Sequence, residues 1–370
     1  GGSMTITYGS GSGAAVTSPS SVTTTTFNAQ ERNTSSGSLT ALASSPSVSV
    51  GTGGGSSGGS GGGGGAGPAA QALTLARIAG ADRIATSVAA SQTGFPTAHS
   101  AAAVVLARSD TFADALAGTP LAVGKHGPLL LTGSASLSSA TSAEIQRVLA
   151  PGATVYVLGG ISAVTPAVAN AVAALGHPVV RISGPDRFAT AAQVAAALGN
   201  PNIVFEADGT NFPDALSAGS AAAEAGGVVL LTAGSGQSGP TAAYLAAHPS
   251  AKRYAIGGPA AHADASAQAF VGSDRFATSV LVAQAFFPKP AAIGLASGLA
   301  FPDALSGGSV AAMNHGPVVL VPSSGTLPSS VASYLGTTEA SATVAWLFGG
   351  TSSVGAGIFN AAAAILATAT

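Results

Sequence analysis

Residues 181–190 read Arg-Ile-Ser-Gly-Pro-Asp-Arg-Phe-Ala-Thr, and residues 212–216 read Phe-Pro-Asp-Ala-Leu. The first stretch is repeated as Arg-Ile-Ala-Gly-Ala-Asp-Arg-Ile-Ala-Thr at 77–86 and, in shorter form, as Gly-Ser-Asp-Arg-Phe-Ala-Thr at 272–278. The second is repeated as Phe-Ala-Asp-Ala-Leu at 112–116 and as Phe-Pro-Asp-Ala-Leu at 301–305. The chain therefore contains an internal repeat in three copies, which has to be interpreted before any single motif.

Two more landmarks follow in the same order in every copy. An apolar run comes first and a glycine pair second, at 129–132 and 159–160, 228–232 and 257–258, and 318–321 and 349–350. Short apolar runs alternate with longer Ala/Val/Leu stretches of helical period, and strands this apolar are buried on both faces. Each copy is therefore predicted to form a small parallel α/β sheet between helices, and to be a domain in itself. We expect the copies to span 71–178, 179–268 and 269–370.

Residues 1–70 differ in composition from the rest, because Ser, Thr and Gly dominate them. The glycine run at 61–65 is typical of a flexible linker, while 4–8 and 47–50 alternate like strands. An unpaired strand can pair with the sheet edge of another molecule, so we predict self-association through this tail, with a flexible spacer as the alternative. No secretory signal peptide is visible, and Gly1 to Met4 are expected to be a cloning scar or a mature terminus.

Charge is scarce in this chain. It has 12 Lys+Arg and 14 Asp+Glu, or 7% charged residues, where a soluble domain typically has about 25%. A net charge of -2 offers no basic stripe for nucleic acid, and 46% hydrophobic residues exclude disorder of the whole chain. The absence of cysteine excludes disulfides and thiolate metal sites. We expect no transmembrane segment, because glycines interrupt the uncharged stretch 341–370, which we interpret as a buried strand and a helix.

The few charges recur at equivalent positions, and the aspartates are the first group. In Phe-Pro-Asp-Ala the aspartate follows a strand and opens a helix, where a carboxylate can accept free N–H groups. We interpret the recurrent aspartates as structural helix caps or ion-pair partners, with a functional role as the alternative: Asp82, Asp186, Asp274, Asp114, Asp214 and Asp303.

The arginines leave two interpretations open. A guanidinium group can bind an anionic ligand such as phosphate through two parallel hydrogen bonds. It can equally join loops or copies through buried pairs with the Phe-Pro-Asp aspartates. The candidate ligand-binding residues are the arginines that recur between copies: Arg83, Arg187, Arg275, Arg77 and Arg181.

Catalytic chemistry has no visible basis in the sequence. None of the six histidines has metal-ligand spacing, and no nucleophile, base and orienting group recur together. The glycine pairs match no nucleotide-binding motif and are interpreted as tight turns between strand and helix. We therefore expect no catalytic residues, no metal, no cofactor and no enzyme activity.

With these landmarks the sequence resembles the cell wall binding repeat 2 family of Gram-positive bacterial surface proteins, over residues 73–370. The resemblance implies three tandem Rossmann-like or Toprim-like parallel-sheet units in a pseudo-threefold arrangement, preceded here by the Ser/Thr/Gly-rich tail. It also implies noncovalent attachment to an anionic cell-wall glycopolymer at a site between units. By the resemblance, that site involves Arg83, Arg187 and Arg275 with the strand residues Leu130, Leu131, Leu230, Leu231, Leu320 and Val321.

Two hypotheses of function follow. The first is a non-enzymatic, secreted extracellular protein that binds the cell wall through its repeats, and the recurrent arginines favour it. The second is a self-assembling surface-layer or filament subunit linked through residues 1–70. Low surface charge favours dense packing of neighbouring molecules and so favours the second.

Overall fold

The computed structural model describes residues 73–338 and 341–368, together with the backbone of four short strands nearer the N-terminus. Those strands are β1 (Thr23–Thr26), β2 (Gln30–Glu31), β3 (Thr40–Ala41) and β4 (Ser47–Val50). Strand β1 pairs antiparallel with β4, and β2 pairs antiparallel with β3. The predicted strand at 47–50 is thus present, within a pair formed by the same chain, while the predicted strand at 4–8 lies outside the described residues.

From residue 73 onward, strands and helices alternate as the change of period predicts. The first stretch contains β5 (Leu75–Ile78), α1 (Arg83–Gly94), β6 (Ala101–Arg108), α2 (Gly118–Gly124), β7 (Leu129–Thr132), α3 (Ser139–Val148), β8 (Leu149–Leu158) and α4 (Pro166–Ala173). The second contains β9 (Val179–Ile182), α5 (Arg187–Ala197), β10 (Ile203–Asp208), α6 (Pro213–Glu224), β11 (Val228–Thr232), α7 (Gly239–Ala247), β12 (Lys252–Ile256) and α8 (Gly258–Ala263). The third contains β13 (Gln268–Phe270), α9 (Arg275–Phe286), β14 (Ala292–Ser297), α10 (Pro302–Met313), β15 (Val318–Val321), α11 (Ser329–Thr338), β16 (Val344–Phe348) and α12 (Ala356–Leu366).

These strands form three four-stranded parallel sheets of the same topology. Their strand orders are β7-β6-β8-β9, β11-β10-β12-β13 and β15-β14-β16-β5. The inner strands are almost entirely buried, as in β14, where every residue is buried. This confirms the predicted fold class, three tandem parallel-sheet α/β units, and the apolar strands are continuous because helices cover both faces.

The fourth strand of each sheet comes from the next copy of the repeat. Strand β9, which opens the second copy, pairs with β8 so that Ile182 lies opposite Leu158. Strand β5, which opens the first copy, pairs with β16 of the third copy, with Ile78 opposite Phe348. The expectation that each copy is a domain in itself is therefore incomplete, because the copies exchange edge strands around a closed ring. The boundaries at 178/179 and 268/269 stay predictions.

The ring is packed around three helices, one from each copy. Helices α2, α6 and α10 contact one another pairwise. Small residues permit this approach: a methyl group at Gly219 of α6 would lie 3.1 Å from the Cβ of Thr119 in α2. Buried residues of all three copies join there in one hydrophobic core. The abundance of glycine and alanine thus serves close helix packing at the centre of the pseudo-threefold arrangement.

Helix α2 is shorter than its two counterparts. It begins at Gly118, whereas α6 and α10 begin at Pro213 and Pro302. Proline fixes the backbone angle needed in the first turn of a helix, and Ala113 replaces it in the first copy. The missing proline explains why residues 113–117 form turns instead. Within 73–338 and 341–368, no helix is long and apolar enough to cross a membrane.

Candidate functional site

The first recurrent motif builds the start of a helix in every copy. In α1 the carboxylate of Asp82 accepts a hydrogen bond from the Ala85 N–H at 2.8 Å, and the Gly80 N–H donates to Thr86 Oγ1 at 3.1 Å. Asp186 and Asp274 cap α5 and α9 in the same way. The Asp, Gly and Thr of the motif are thereby explained by helix capping, while the arginine beside the cap is left with its side chain directed outward.

Each of these arginines donates to a main-chain carbonyl at the end of an inner strand. Arg83 Nη1 lies 2.8 Å from the Ser109 oxygen. Its counterparts, Arg187 and Arg275, donate to Gly209 and Gly298, both at 2.7 Å. The ion pairs expected with the Phe-Pro-Asp aspartates are not formed, because none of the salt bridges among residues 73–338 and 341–368 involves these arginines. Their positive charges therefore have no carboxylate within 4.0 Å in that part of the chain.

The arginines also contact the copy that precedes them around the ring. The guanidinium carbon of Arg83 lies 5.7 Å from the centroid of the Phe301 ring, and that of Arg187 lies 5.5 Å from the centroid of Phe112. A cation over an aromatic face is attracted by the quadrupole of the ring. Arg83 and Arg187 thus each span the junction between two units.

The phenylalanines of the second motif converge at one point. The Phe112 ring lies 5.5 Å from that of Phe212 and 5.7 Å from that of Phe301, and the last two rings are 6.1 Å apart, all edge to face. All three side chains are half-buried. Three copies of one residue that meet mutually mark the pseudo-threefold axis. We name Phe112, Phe212 and Phe301 the axial triad.

The aspartates of the second motif lie opposite the glycine pairs. Asp214 and Asp303 are in the first turns of α6 and α10, one residue beyond the first helical position, so they are not the N-caps. The first glycine of each pair has a positive φ, +94° at Gly159, +85° at Gly257 and +115° at Gly349. A methyl group at Gly159 or Gly349 would lie 2.5 Å from a carboxylate oxygen of Asp114 or Asp303. Glycine is needed for its conformation and for this approach.

Burial changes the acidity of two of these aspartates. It raises the pKa of Asp214 to about 6, with Asp208 adding to the rise and Arg275 opposing it. Burial also raises the pKa of Asp303, which hydrogen bonds from Ser353 and Thr86 and the charge of Arg83 oppose. Ser353 has Ala163 and Ala261 at the equivalent positions of the other copies. The three junctions are therefore alike in backbone but different in polarity.

Two of the junctions form open clefts of similar size. The cleft between the third and first copies has a volume of about 260 Å³ and is lined by Gly80, Asp82, Arg83, Thr86, Asp303 and Gly350, among others. The cleft between the second and third copies has a volume of about 280 Å³ and is lined by Asp208, Asp214, Gly257, Gly272, Asp274 and Arg275, among others. Both bring the predicted arginine and aspartates of two copies together.

The second pair of predicted arginines is engaged with the glycine turns. Arg77 Nη1 donates to the Gly349 carbonyl at 2.8 Å, and Arg181 Nη1 donates to the Gly159 carbonyl at 2.7 Å. Burial lowers the pKa of both guanidinium groups. In the third copy Ala269 occupies this position. Arg77 and Arg181 thus hold the turn of the neighbouring strand.

The strand residues proposed from the family resemblance lie in the core. Leu130, Leu131, Leu230, Leu231, Leu320 and Val321 are each 0% exposed. These side chains cannot contact a polymer, because they are buried between the sheets and the helices that cover them. The axial triad was not predicted as part of a site, although a phenylalanine that recurs in all three copies of a chain with 5% aromatic residues was a visible signal.

A further polar cluster is confined to the second copy. Glu206 is fully buried on β10, where the other copies have Leu106 and Leu295. Gln237 Nε2 donates to its Oε2 at 2.6 Å, and Arg253 donates to the nearby Asp264 at 3.3 Å. Burial, together with Asp264, raises the pKa of Glu206 to about 7. Burial alone would raise the pKa of Asp264, but hydrogen bonds from Ser266 and Glu206 lower it to about 2.

No group of three or more His, Asp or Glu side chains suited to a metal is present in 73–338 and 341–368. The geometry brings together cations, aromatic rings and open clefts at unit junctions. Such an arrangement can bind an anion noncovalently.

Known proteins share this architecture. The chain is 27% identical over 250 residues to the N-acetylmuramoyl-L-alanine amidase LytC of Bacillus subtilis, covering 66% of this chain and 49% of that protein. It is 31% identical over 156 residues to the amidase enhancer of Bacillus subtilis, covering 42% of this chain and 21% of the enhancer. The chain thus spans about half the length of the amidase and about a fifth of the length of the amidase enhancer.

Two solved structures from Clostridium difficile have the same fold. Cwp6 superposes with a TM-score of 0.71 at 21% identity, over 93% of this chain and 51% of that one. Cwp8 superposes with a TM-score of 0.70 at 25% identity, over 80% of this chain and 52% of that one. The family model described as cell wall binding domain 2 (CWB2) matches residues 77–169, 181–266 and 270–359, which together make up most of the chain. The chain therefore belongs to the cell wall binding domain 2 family, of which it carries three tandem copies.

Proposed function

We propose that the three-repeat region attaches the protein noncovalently to an anionic glycopolymer of the cell wall, outside the cell and without catalysis. Membership of a cell wall binding family associates the chain with the cell wall or cell surface. The names of two relatives refer to an amidase, but the chain spans only 49% and 21% of those proteins.

One observation carries the proposal. Arg83, Arg187 and Arg275 recur at unit junctions and have no carboxylate within 4.0 Å in the described part of the chain. The whole chain has only 12 Lys and Arg. Arg83 and Arg275 line open clefts, where a guanidinium group without a paired carboxylate can bind an acidic group of a polymer.

Cosedimentation with purified cell walls tests the proposal. We expect the protein to be retained on native walls, less at high salt, and not on walls stripped of anionic glycopolymer. Arg187→Ala should weaken retention, because it removes a cation from the surface, and should cost only about 1 kcal/mol of stability, since one neutral acceptor loses its donor. The exposed Lys289 provides the matched control, and Lys289→Ala should leave retention unchanged. Equal retention on stripped walls contradicts the proposal.

Catalysis is tested separately. Incubation of the protein with wall peptidoglycan should release no soluble peptide or glycan. Hydrolysis that a single substitution in residues 73–368 abolishes would contradict the non-enzymatic part of the proposal.

The second candidate is a self-assembling surface-layer or filament subunit, and the scarcity of charge, 7% of the residues, favours it. Under this proposal the tail, residues 1–70, joins neighbouring molecules. Light scattering should then show assemblies of the full chain and monomers of a variant that lacks 1–70. The same assembly state for both chains would contradict it.

A further inference from the structure

The axial triad lies in a hollow that all three copies line. Its volume is about 360 Å³, and its walls include Arg83 and Phe112 of the first copy, Phe212 of the second, and Leu299 and Phe301 of the third. Leu299 is 55% exposed there, one of the few large apolar side chains at the surface of the described residues. Leu299 and the half-buried rings of the axial triad together form a contiguous apolar patch, and such patches mark binding surfaces.

One cation, Arg83, lines this hollow, and its guanidinium carbon lies 5.7 Å from the centroid of the Phe301 ring. One acid, Asp110, also lines it, and Arg108 donates to the two oxygens of that carboxylate at 2.6 and 2.7 Å. The hollow thus combines aromatic rings with a guanidinium group that has no carboxylate within 4.0 Å among the described residues.

Arg83 also lines the cleft between the third and first copies. The Arg83 guanidinium group therefore lines both the cleft and the hollow. A ligand that binds Arg83 from the hollow does not have to occupy the cleft as well. Pseudo-symmetry would permit three equal sites, one at each junction, but the axis exists only once in the molecule.

We propose that the hollow binds one anionic sugar unit of the wall polymer, with its ring against the axial triad and its acidic group on Arg83. The proposal rests on the function proposed above and makes it specific. Aromatic faces pack against the apolar C–H face of a sugar ring, and guanidinium groups bind carboxylate or phosphate. One axial site holds one polymer segment per molecule.

The residues at the rim of the hollow indicate the side from which a ligand would enter. Leu299 has Asp110 and Thr210 at the equivalent positions, and these are held by Arg108 and by Asp208 respectively. Only the third copy presents an apolar, unengaged side chain at this position among the described residues. We therefore expect the ligand to enter over Leu299.

Isothermal titration of the full chain with glycopolymer released from the walls that retain it tests the inference. The expected stoichiometry is one segment per protein. Leu299→Asp places a negative charge at the rim of the hollow and should lower the affinity at least tenfold. The control is Leu281→Asp, which changes another exposed leucine, 38% exposed on α9, and should alter the affinity less than twofold.

A second pair of variants tests the aromatic floor. Phe301→Leu keeps the apolar volume and removes the ring, and should lower the affinity about fivefold or more. The control is Phe359→Leu, which removes another ring beneath an arginine, since the guanidinium carbon of Arg77 lies 4.8 Å from its centroid. Phe359 lies on α12 and does not line the hollow, so this variant should not change the affinity. Melting curves check that all four variants fold.

The outcomes separate the inference from the function it rests on. Three equal sites per molecule, or equal effects of Leu299→Asp and Leu281→Asp in folded proteins, would overturn the axial site and leave wall binding intact. Failure of the unaltered protein to bind the released polymer would overturn both.

Discussion

Arg77 donates from Nη1 to the carbonyl oxygen of Gly349 at 2.8 Å, across 272 positions of the chain. The strands beside these two residues, β5 and β16, pair in parallel from Leu75 opposite Ala345 to Ile78 opposite Phe348. A little further out, the Leu73 N–H donates to the Leu366 carbonyl at 3.1 Å. The start of the repeat region is thus built into its last unit, and the stability of that unit depends on residues far away in sequence.

Leu75→Ala should therefore destabilise the third unit. Leu75 is 5% exposed and belongs to the core of that unit, so its truncation should cost about 2–5 kcal/mol. Ala76→Ser, at the neighbouring exposed position, is the control and should change the free energy of unfolding by about 0.5 kcal/mol or less. Urea unfolding measures both, and equal midpoints for the two variants would show that β5 is not needed for closure.

The glycine turns should tolerate alanine unequally. Gly226→Ala, at φ +65° with open space around it, should cost about 1–2 kcal/mol for the left-handed conformation. Gly257→Ala adds an overlap with the Asp214 carboxylate and should cost a further 1–3 kcal/mol or so. Thermal unfolding of the two variants compares these costs. Equal losses would mean that Asp214 moves aside freely.

Stability should fall as the pH rises through the neutral range, because of Glu206. Its folded pKa is about 7 against an ordinary value of 4.5. The folded state therefore binds this proton more tightly, and the resulting stability is complete below about pH 4.5 and lost by pH 7 and above. Asp264 acts only at lower pH, since its pKa is lowered to about 2.

Glu206→Gln is expected to remove this pH dependence, which is on the order of 3 kcal/mol. Glu206→Leu copies Leu106 and Leu295 and provides a second variant with no titrating group. Urea unfolding at pH 5 and pH 8 is the measurement. Parallel loss of stability in the unaltered protein and both variants would assign the pH dependence to other groups.

Wall retention should strengthen on acidification, because Asp214 lies near Arg275. The pKa of Asp214 is about 6, so its negative charge is present at pH 7.5 and largely absent at pH 5. Asp214→Asn should bind at pH 7.5 as the unaltered protein binds at pH 5. The matched variant is Asp186→Asn, at a helix cap away from this cleft, and it should keep the original pH response. An unchanged pH response in Asp214→Asn would contradict a role for this carboxylate in binding.

The repeat itself, the order of strands and helices and the fold class could be predicted from the sequence. They depend on local periods and on motifs that recur three times, so each copy corroborates the others. The exchange of edge strands could not be predicted in this way, because β5, β9 and β13 follow the same motif position in sequence whichever sheet they join. The pairing of β5 with β16 joins residues that are far apart in sequence, and local periodicity does not indicate which strands pair.

The candidate site was predicted in part. Recurrence identified Arg83, Arg187 and Arg275, but it could not distinguish a buried ion pair from an unpaired cation, since that depends on distances between copies. It also could not separate Phe301 from other landmark residues, because convergence of three rings at one axis is a property of the assembled ring. Glu206 escaped notice for the opposite reason, since it is present in one copy alone.

A ring that closes on its own first strand fixes how many units it can contain. An open solenoid gains or loses a repeat at its ends, where only one neighbour is disturbed. Here a fourth unit would have to displace β5 from β16 and would enlarge the ring, separating α2, α6 and α10 at its centre. Duplication or loss of a single unit would thus disrupt the core that all three copies share, so the number of units is fixed by the closure of the ring.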